Sequence, residues 1–160
     1  MNEETVKIDA TDKLILDVLQ IEGHLSQREV AERVGLSQNA CWRRIQRLTE
    51  AGVIQGSRTR LNAARLGLDL TVFVMVRTRH HDVDWAARFR RRVEAIPEVV
   101  ELHRIGGDWD YLLKVVTRSM TGYDSVYRRL IEGFDLQTVT GYFSMEVMLQ
   151  DRPLALRAGR

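Results

Sequence analysis

The chain has 160 residues, 44% of them hydrophobic, with 24 Lys and Arg against 22 Asp and Glu and a net charge of +2. That length fits one domain of about 150 residues or two smaller ones, and two Pro, eleven Gly and a small charge excess exclude collagen-like, disordered and general polyanion-binding chains. No apolar run approaches the roughly 20 residues that cross a bilayer, and the N-terminal MNEETVKIDATDK lacks the basic start and apolar core of a signal peptide, so a cytoplasmic chain without a membrane partner is expected. Residues from about Asp12 to Ile21 set Ile15, Val18 and Leu19 at helical spacing and predict a first amphipathic helix ending at Gly23. Ser26-Gln27-Arg28-Glu29 has the capping-box pattern of a second helix, with Val30, Ala31 and Val34 as its apolar stripe and Gly35-Leu36 as its stop. Ser37 is a candidate N-cap for a third helix carrying Cys41, Ile45 and Leu48 inward and ending at Ala51-Gly52. A short helix, a glycine turn and a longer helix have helix-turn-helix spacing.

Beyond Gly52 the periodicity changes, and Val53 to Asn62 fits a short strand or an extended connector. Leu70 to Arg77 has strand composition, Asp84 to Ile96 is helical with Trp85, Phe89, Val93 and Ile96 inward, and Pro97 closes that helix. A strand from Val99 to Ile105, a Gly106-Gly107-Asp108 turn and a strand from Tyr111 to Val116 follow. Ser119 caps a last helix with Tyr123, Val126, Tyr127, Leu130 and Phe134 as its stripe, and Val139 to Leu149 makes a fourth strand. The order βαββαβ is that of the ferredoxin-like fold, so the chain is α+β, with residues 1–60 as one domain, 61–69 as linker and 70–160 as a second domain. In these strands Val72, Val74 and Val76 alternate with Phe73 and Met75, and Phe143, Met145 and Val147 with Tyr142 and Met148. Both sheet faces need burial; helices cover one, and a second copy is the simplest cover for the other, which predicts a homodimer.

The small net charge conceals its distribution. Residues 1–34 hold four basic and eight acidic side chains, a net of −4, whereas residues 35–65 hold six arginines against Glu50 alone, a net of +5. A positive segment built on one helix of a helix-turn-helix points to double-stranded DNA. With Cys41, Ile45 and Leu48 inward, Gln38, Asn39, Trp42, Arg43, Gln46 and Arg47 lie on the outer and flanking surfaces, where Asn and Gln match adenine and Arg matches guanine. Ser37 begins this helix, and Arg44, Arg58 and Arg60 are candidates for phosphate. Trp42 either packs on the first helix or touches DNA, and Cys41 fits a small buried apolar residue. The four histidines are scattered, so no metal site, cofactor or catalytic set is expected, and the His80-His81-Asp82 run is a surface turn.

The stretches Asp9 to Leu16, Leu36 to Leu48, Gly52-Val53-Ile54, Ile96-Pro97-Glu98-Val99 and Gly107 to Leu113 resemble the Lrp/AsnC, or feast/famine, transcriptional regulators over nearly all of residues 9–150. The resemblance implies a winged helix-turn-helix followed by a regulation-of-amino-acid-metabolism (RAM) domain of βαββαβ order. It also implies dimers assembling into tetramers, octamers or hexadecamers, an amino-acid effector between dimers, and control of amino-acid metabolism genes. Cys41-Trp42, Thr78 to His81 and Phe143 to Glu146 look most like the cysteine-responsive subgroup, which implies L-cysteine. The effector site carries over onto Gly106, Gly107, Asp108, Trp109 and Asp110 and the end of the fourth strand at Thr140, Tyr142 and Ser144. Asp108 or Asp110 would accept from the ammonium, and backbone amides with the Ser144 or Thr140 hydroxyl would meet the carboxylate; the competing role for Gly-Gly-Asp is a plain hairpin turn. Two other functions fit the pattern: an architectural DNA-binding protein without effector, and a ferredoxin-like metabolic module.

Overall fold

A computed structural model describes residues 6–156. They form two compact units: one holds the described residues up to Arg60 together with those from Leu149 onward, and the other spans Leu61–Met148. The sequence predicts a second domain that runs to residue 160. Instead the chain returns to the first unit, where the Gln20 side-chain amide accepts from the Leu154 N–H at 2.7 Å and donates to its carbonyl at 3.3 Å, and Arg60 pairs with Asp151 at 3.3 Å.

The first unit contains α1 (Ala10–Ile21), α2 (Gln27–Val34) and α3 (Gln38–Glu50). α1 begins two residues before the expected start because Asp9 is its N-cap: Asp9 accepts from the Asp12 amide at 2.8 Å, and Asp12 accepts from the Asp9 amide at 3.0 Å. Ser26 and Glu29 form the expected reciprocal cap of α2, and Ser37 caps α3 by accepting from the Ala40 amide. The three helices bury Ile15, Val30, Ala31 and Cys41, with Val18, Leu19, Leu25, Val34, Leu36 and Ile45 packed around them. Each fully buried aliphatic side chain contributes about 1.5–3 kcal/mol, and that core holds α3 in place. Residues 53–60 are an extended connector; no wing strand is formed among the described residues.

The second unit opens with one 3-10 turn (Ala64–Leu66) and continues β1 (Leu70–Thr78), α4 (Val83–Glu94), β2 (Val99–Arg104), β3 (Tyr111–Thr117), α5 (Met120–Ile131) and β4 (Leu136–Phe143). The sheet is antiparallel throughout in the order β2-β3-β1-β4, which is the ferredoxin-like arrangement. Val72, Val74 and Val76 of β1 and Tyr111, Leu113 and Val115 of β3 face the helices and pack on Trp85, Phe89, Val93, Ile96, Val126 and Leu130. The Trp85, Phe89 and Tyr111 rings and Phe134 form one aromatic cluster, with centroids 4.9–6.2 Å apart. Phe73, Met75, Leu112 and Tyr142 alternate onto the other face; Phe73 and Tyr142 are exposed there.

β4 departs from its expected span of Val139 to Leu149: it starts at Leu136 and stops at Phe143. Its partner sets that end. Val72 opposite Phe143 is the last pair, the Ser144 amide reaches the Thr71 carbonyl at 2.9 Å, and β1 begins one residue earlier at Leu70. Met145, Val147 and Met148, expected to alternate in the strand, lie beyond it and are exposed.

Candidate nucleic-acid interface and effector turn

α3 turns its Cys41 and Leu48 inward, and 100° per residue then sets Asn39 and Arg43, four residues apart, on the side facing directly away. Both are exposed, as are Gln38 and Gln46. Trp42 lies on the flank and is 44% exposed, so it is not packed into the helical core. Cys41 is fully buried, and burial pushes its thiol pKa up, which leaves it a small apolar core residue. The Ser37 hydroxyl is occupied by the cap of α3.

The arginines separate into two groups. Arg43 and Arg58 are exposed and make no ion pair among the described residues. Arg44 and Arg47 are turned back onto the start of α1. Arg44 Nη1 donates to Asp9 Oδ2 at 2.7 Å and to Asp12 Oδ1 at 2.8 Å. Arg47 Nη2 donates to Asp12 Oδ2 at 2.6 Å and its Nη1 to the Lys7 carbonyl at 3.2 Å. Asp12 is fully buried. Burial pushes its carboxyl pKa up, but hydrogen bonds from Arg47, the Asp9 amide and Arg44 outweigh that and lower it to about 2. The bond from Arg44 likewise holds the Asp9 carboxyl below its usual range. Arg60 faces Asp151.

In the second unit the Gly106 to Asp110 turn joins β2 to β3, and Gly107 takes a left-handed φ of 112° that a side chain would resist. Arg77 of β1, absent from the sequence-based set, organises the turn. Its Nε donates to the Asp108 carbonyl at 2.5 Å, and its guanidinium lies 5.3 Å from the Trp109 ring centroid. Asp110 is committed: its amide donates to the Val76 carbonyl at 2.9 Å, and its Oδ2 accepts from the Thr78 amide at 2.8 Å. The Asp108 side chain is 94% exposed and free to accept, with Arg77 Nη2 3.9 Å away. The carbonyl of Asp108 thus meets β1 at Arg77, and the amide and carboxylate of Asp110 meet it at Val76 and Thr78.

Thr140, Tyr142 and Ser144 do not join this turn within one chain. Antiparallel pairing sets Thr140 opposite Met75 and Tyr142 opposite Phe73, and Ser144 reaches Thr71, so β4 runs away from Arg77. From Arg77 to Phe73 is four residues, about 13 Å along a strand. His80 stacks on Trp85 and lies 3.6 Å from Asp135, while His81 lies 3.8 Å from Asp110; the two point to different partners. Asp82 is the N-cap of α4.

Residues 8–55 match the family model described as winged helix-turn-helix DNA-binding, and residues 71–154 match the Lrp/AsnC ligand binding domain. The glutamate uptake regulatory protein of Zymomonas mobilis is 42% identical over 150 residues, covering 94% of this chain and 92% of its own length. The chain belongs to the Lrp/AsnC family. It is a DNA-binding transcriptional regulator of that type. The DNA-binding transcriptional activator DecR of Escherichia coli is 38% identical over 140 residues, 87% of this chain and 92% of its length. A crystal structure of an AsnC family transcriptional regulator from Agrobacterium tumefaciens superposes with a TM-score of 0.87 at 40% identity, covering 92% of this chain and 97% of that one. A Neisseria meningitidis transcriptional regulator in complex with L-methionine gives a TM-score of 0.87 at 30% identity, covering 94% and 97%.

Both candidate sites fall within the matched segments, except that the helix-turn-helix match ends before Arg58 and Arg60. Sequence reasoning missed two features. The Asp9-x-x-Asp12 spacing carries the capping-box signal, but nothing local shows that Asp12 also receives two arginines from α3. Arg77 ends an apolar strand run, and only the register with β3 brings it beside the turn. No helix among the described residues is long and apolar enough to cross a membrane.

Proposed function

We propose that this Lrp/AsnC regulator reads DNA through the outward face of α3, with Asn39 and Arg43 on base edges and Arg58 on phosphate, and that a small amino acid bound at the Arg77–Asp108 turn modulates it. The observation that carries the DNA assignment is the pairing of the exposed Asn39 and Arg43 side chains on the one face of α3 that turns away from the helical core. Asn matches adenine and Arg matches guanine, each good pair giving about 1–3 kcal/mol of discrimination.

At the turn, Asp108 accepts from the effector ammonium, and Arg77 with the turn amides meets its carboxylate. L-cysteine is the effector that the Cys41-Trp42, Thr78 to His81 and Phe143 to Glu146 resemblance favours. Relatives bound to L-methionine in Neisseria meningitidis and Mycobacterium tuberculosis structures make methionine the second candidate. The protein acts as a homodimer through the open sheet face that bears Phe73 and Tyr142, with further assembly into tetramers, octamers or hexadecamers, and controls amino-acid metabolism genes from the cytoplasm. Across a two-fold dimer the recognition helices meet successive major grooves about 34 Å apart.

Selection of bound genomic fragments with and without cysteine, methionine and the other amino acids tests operator and effector together. Enrichment of one sequence class, shifted by one amino acid, is expected. Calorimetric silence with all twenty amino acids would leave the architectural reading in its place.

A further inference from the structure

α3 carries three arginines, at 43, 44 and 47, on a helix whose outward face bears Asn39 and Arg43. A bare arginine helix attracts any duplex, because each phosphate neutralised adds about 0.9 to the logarithmic salt slope whatever the base sequence. Two of the three are not bare. Arg47 gives one N–H of each terminal nitrogen to a partner on the α1 side, Asp12 at 2.6 Å and the Lys7 carbonyl at 3.2 Å, which turns its guanidinium back onto the start of α1. Arg44 shares one nitrogen between Asp9 at 2.7 Å and Asp12 at 2.8 Å. The partner carboxylates come from α1 and its cap, more than thirty residues away in sequence, and Asp12 is fully buried. Two carboxylates against two guanidiniums cancel the charge of this half of α3.

We infer that Asp9 and Asp12 form a carboxylate clamp that withholds Arg44 and Arg47 from DNA phosphates, so that α3 discriminates between sequences instead of holding all of them. The inference rests on α3 being the DNA reader. Charged donors held by a buried carboxylate at these distances exchange to phosphate only by leaving that carboxylate uncompensated, which is the costly state for a buried ion. Attraction common to all sequences then falls to Arg43 and Arg58, while base contacts at Asn39 and Arg43 are untouched. The ratio of specific to general binding rises with no new contact to DNA.

The test compares salt dependence of binding to a mixed-sequence duplex with that of a duplex taken from the genomic selection. Asp12→Asn keeps the shape and removes the charge that holds Arg47. Its mixed-sequence slope steepens by about 0.9, general affinity at roughly 0.1 M salt rises about tenfold, and the specificity ratio falls by a similar factor. Adding Arg47→Gln to Asp12→Asn returns the slope to the wild-type value, which a purely structural defect would not do. Asp9→Asn, where asparagine remains a good N-cap, steepens the slope less, since Asp12 still holds Arg44. Circular dichroism establishes that each variant is folded; if Asp12→Asn is not, the Asp9→Asn slope and Arg47→Gln alone decide. An unchanged slope in folded Asp12→Asn overturns the clamp, as does Arg47→Gln alone flattening the slope as much as Arg58→Gln. If Arg43→Gln and Arg58→Gln both leave every duplex affinity unaltered, the DNA assignment of α3 fails, and the clamp fails with it.

Discussion

A single side chain, Asp12, joins the start of α1 to α3, the helix proposed to read DNA. Its carboxyl pKa falls from an ordinary 3.8 to about 2 on folding, the net of burial opposed by the bonds of Arg47, the Asp9 amide and Arg44. A carboxylate with a lowered folded pKa stabilises above its unfolded pKa and loses that contribution as pH falls through the folded value. The shift corresponds to about 2 kcal/mol, present at neutral pH and lost between about pH 4 and pH 2. Urea midpoints measured across that window should fall in the wild type and lack this component in Asp12→Asn. Arg43→Ala should cost about 1–3 kcal/mol at the preferred operator and relax base choice at one position, whereas Arg58→Ala should weaken all duplexes alike and reduce the salt slope by about 0.9; gel-shift titration at several salt concentrations separates the two. At this scale the sequence was partly legible. Helical spacing put Asn39 and Arg43 outward, because that depends on α3 alone. It could not distinguish Arg43 from Arg47, because what occupies Arg47 is supplied by Asp12 across a tertiary contact.

Helices in this chain announce their ends through short polar side chains: Ser26, Ser37, Asp82 and Ser119 each accept from a first-turn amide. Ser26, Ser37 and Ser119 were readable as caps, since capping is a local competition for unpaired N–H groups. Strand ends are not local. Met145, Val147 and Met148 have strand composition, yet β4 stops at Phe143, opposite Val72 and two residues short of the start of β1. The same register separates Thr140, Tyr142 and Ser144 from the Gly106 to Asp110 turn, which no property of β4 alone discloses. β4 also contains a close approach: a Cβ on Gly141 would meet the Tyr123 ring, with Cζ at 3.0 Å, and Val72 Cγ1 at 3.3 Å. Gly141→Ala should therefore destabilise by about 1–3 kcal/mol through overpacking. Replacing Tyr123 with Leu in that background should return part of the loss, a coupling that urea denaturation of the two single variants and the double variant would measure.

At the scale of the whole molecule, the apolar character of both sheet faces in β1 was legible because period-two alternation needs no knowledge of the partner. The helices cover one face, and Phe73 and Tyr142 lie exposed on the other. If a second copy covers that face, Phe73→Glu should shift sedimentation from dimer or higher species to monomer with the helix-side core intact. Operator affinity should fall about a hundredfold or more, since each recognition helix then binds without its tethered twin. What the sequence did not disclose is the route of the chain. It leaves the first unit after Arg60, builds the four-stranded sheet, and comes back at Leu149, after which Leu154 pairs with Gln20. In chain order the ligand-binding unit is thus a guest inserted into its host, with host residues both before and after it. One proteolytic nick at either crossing would leave guest and host joined.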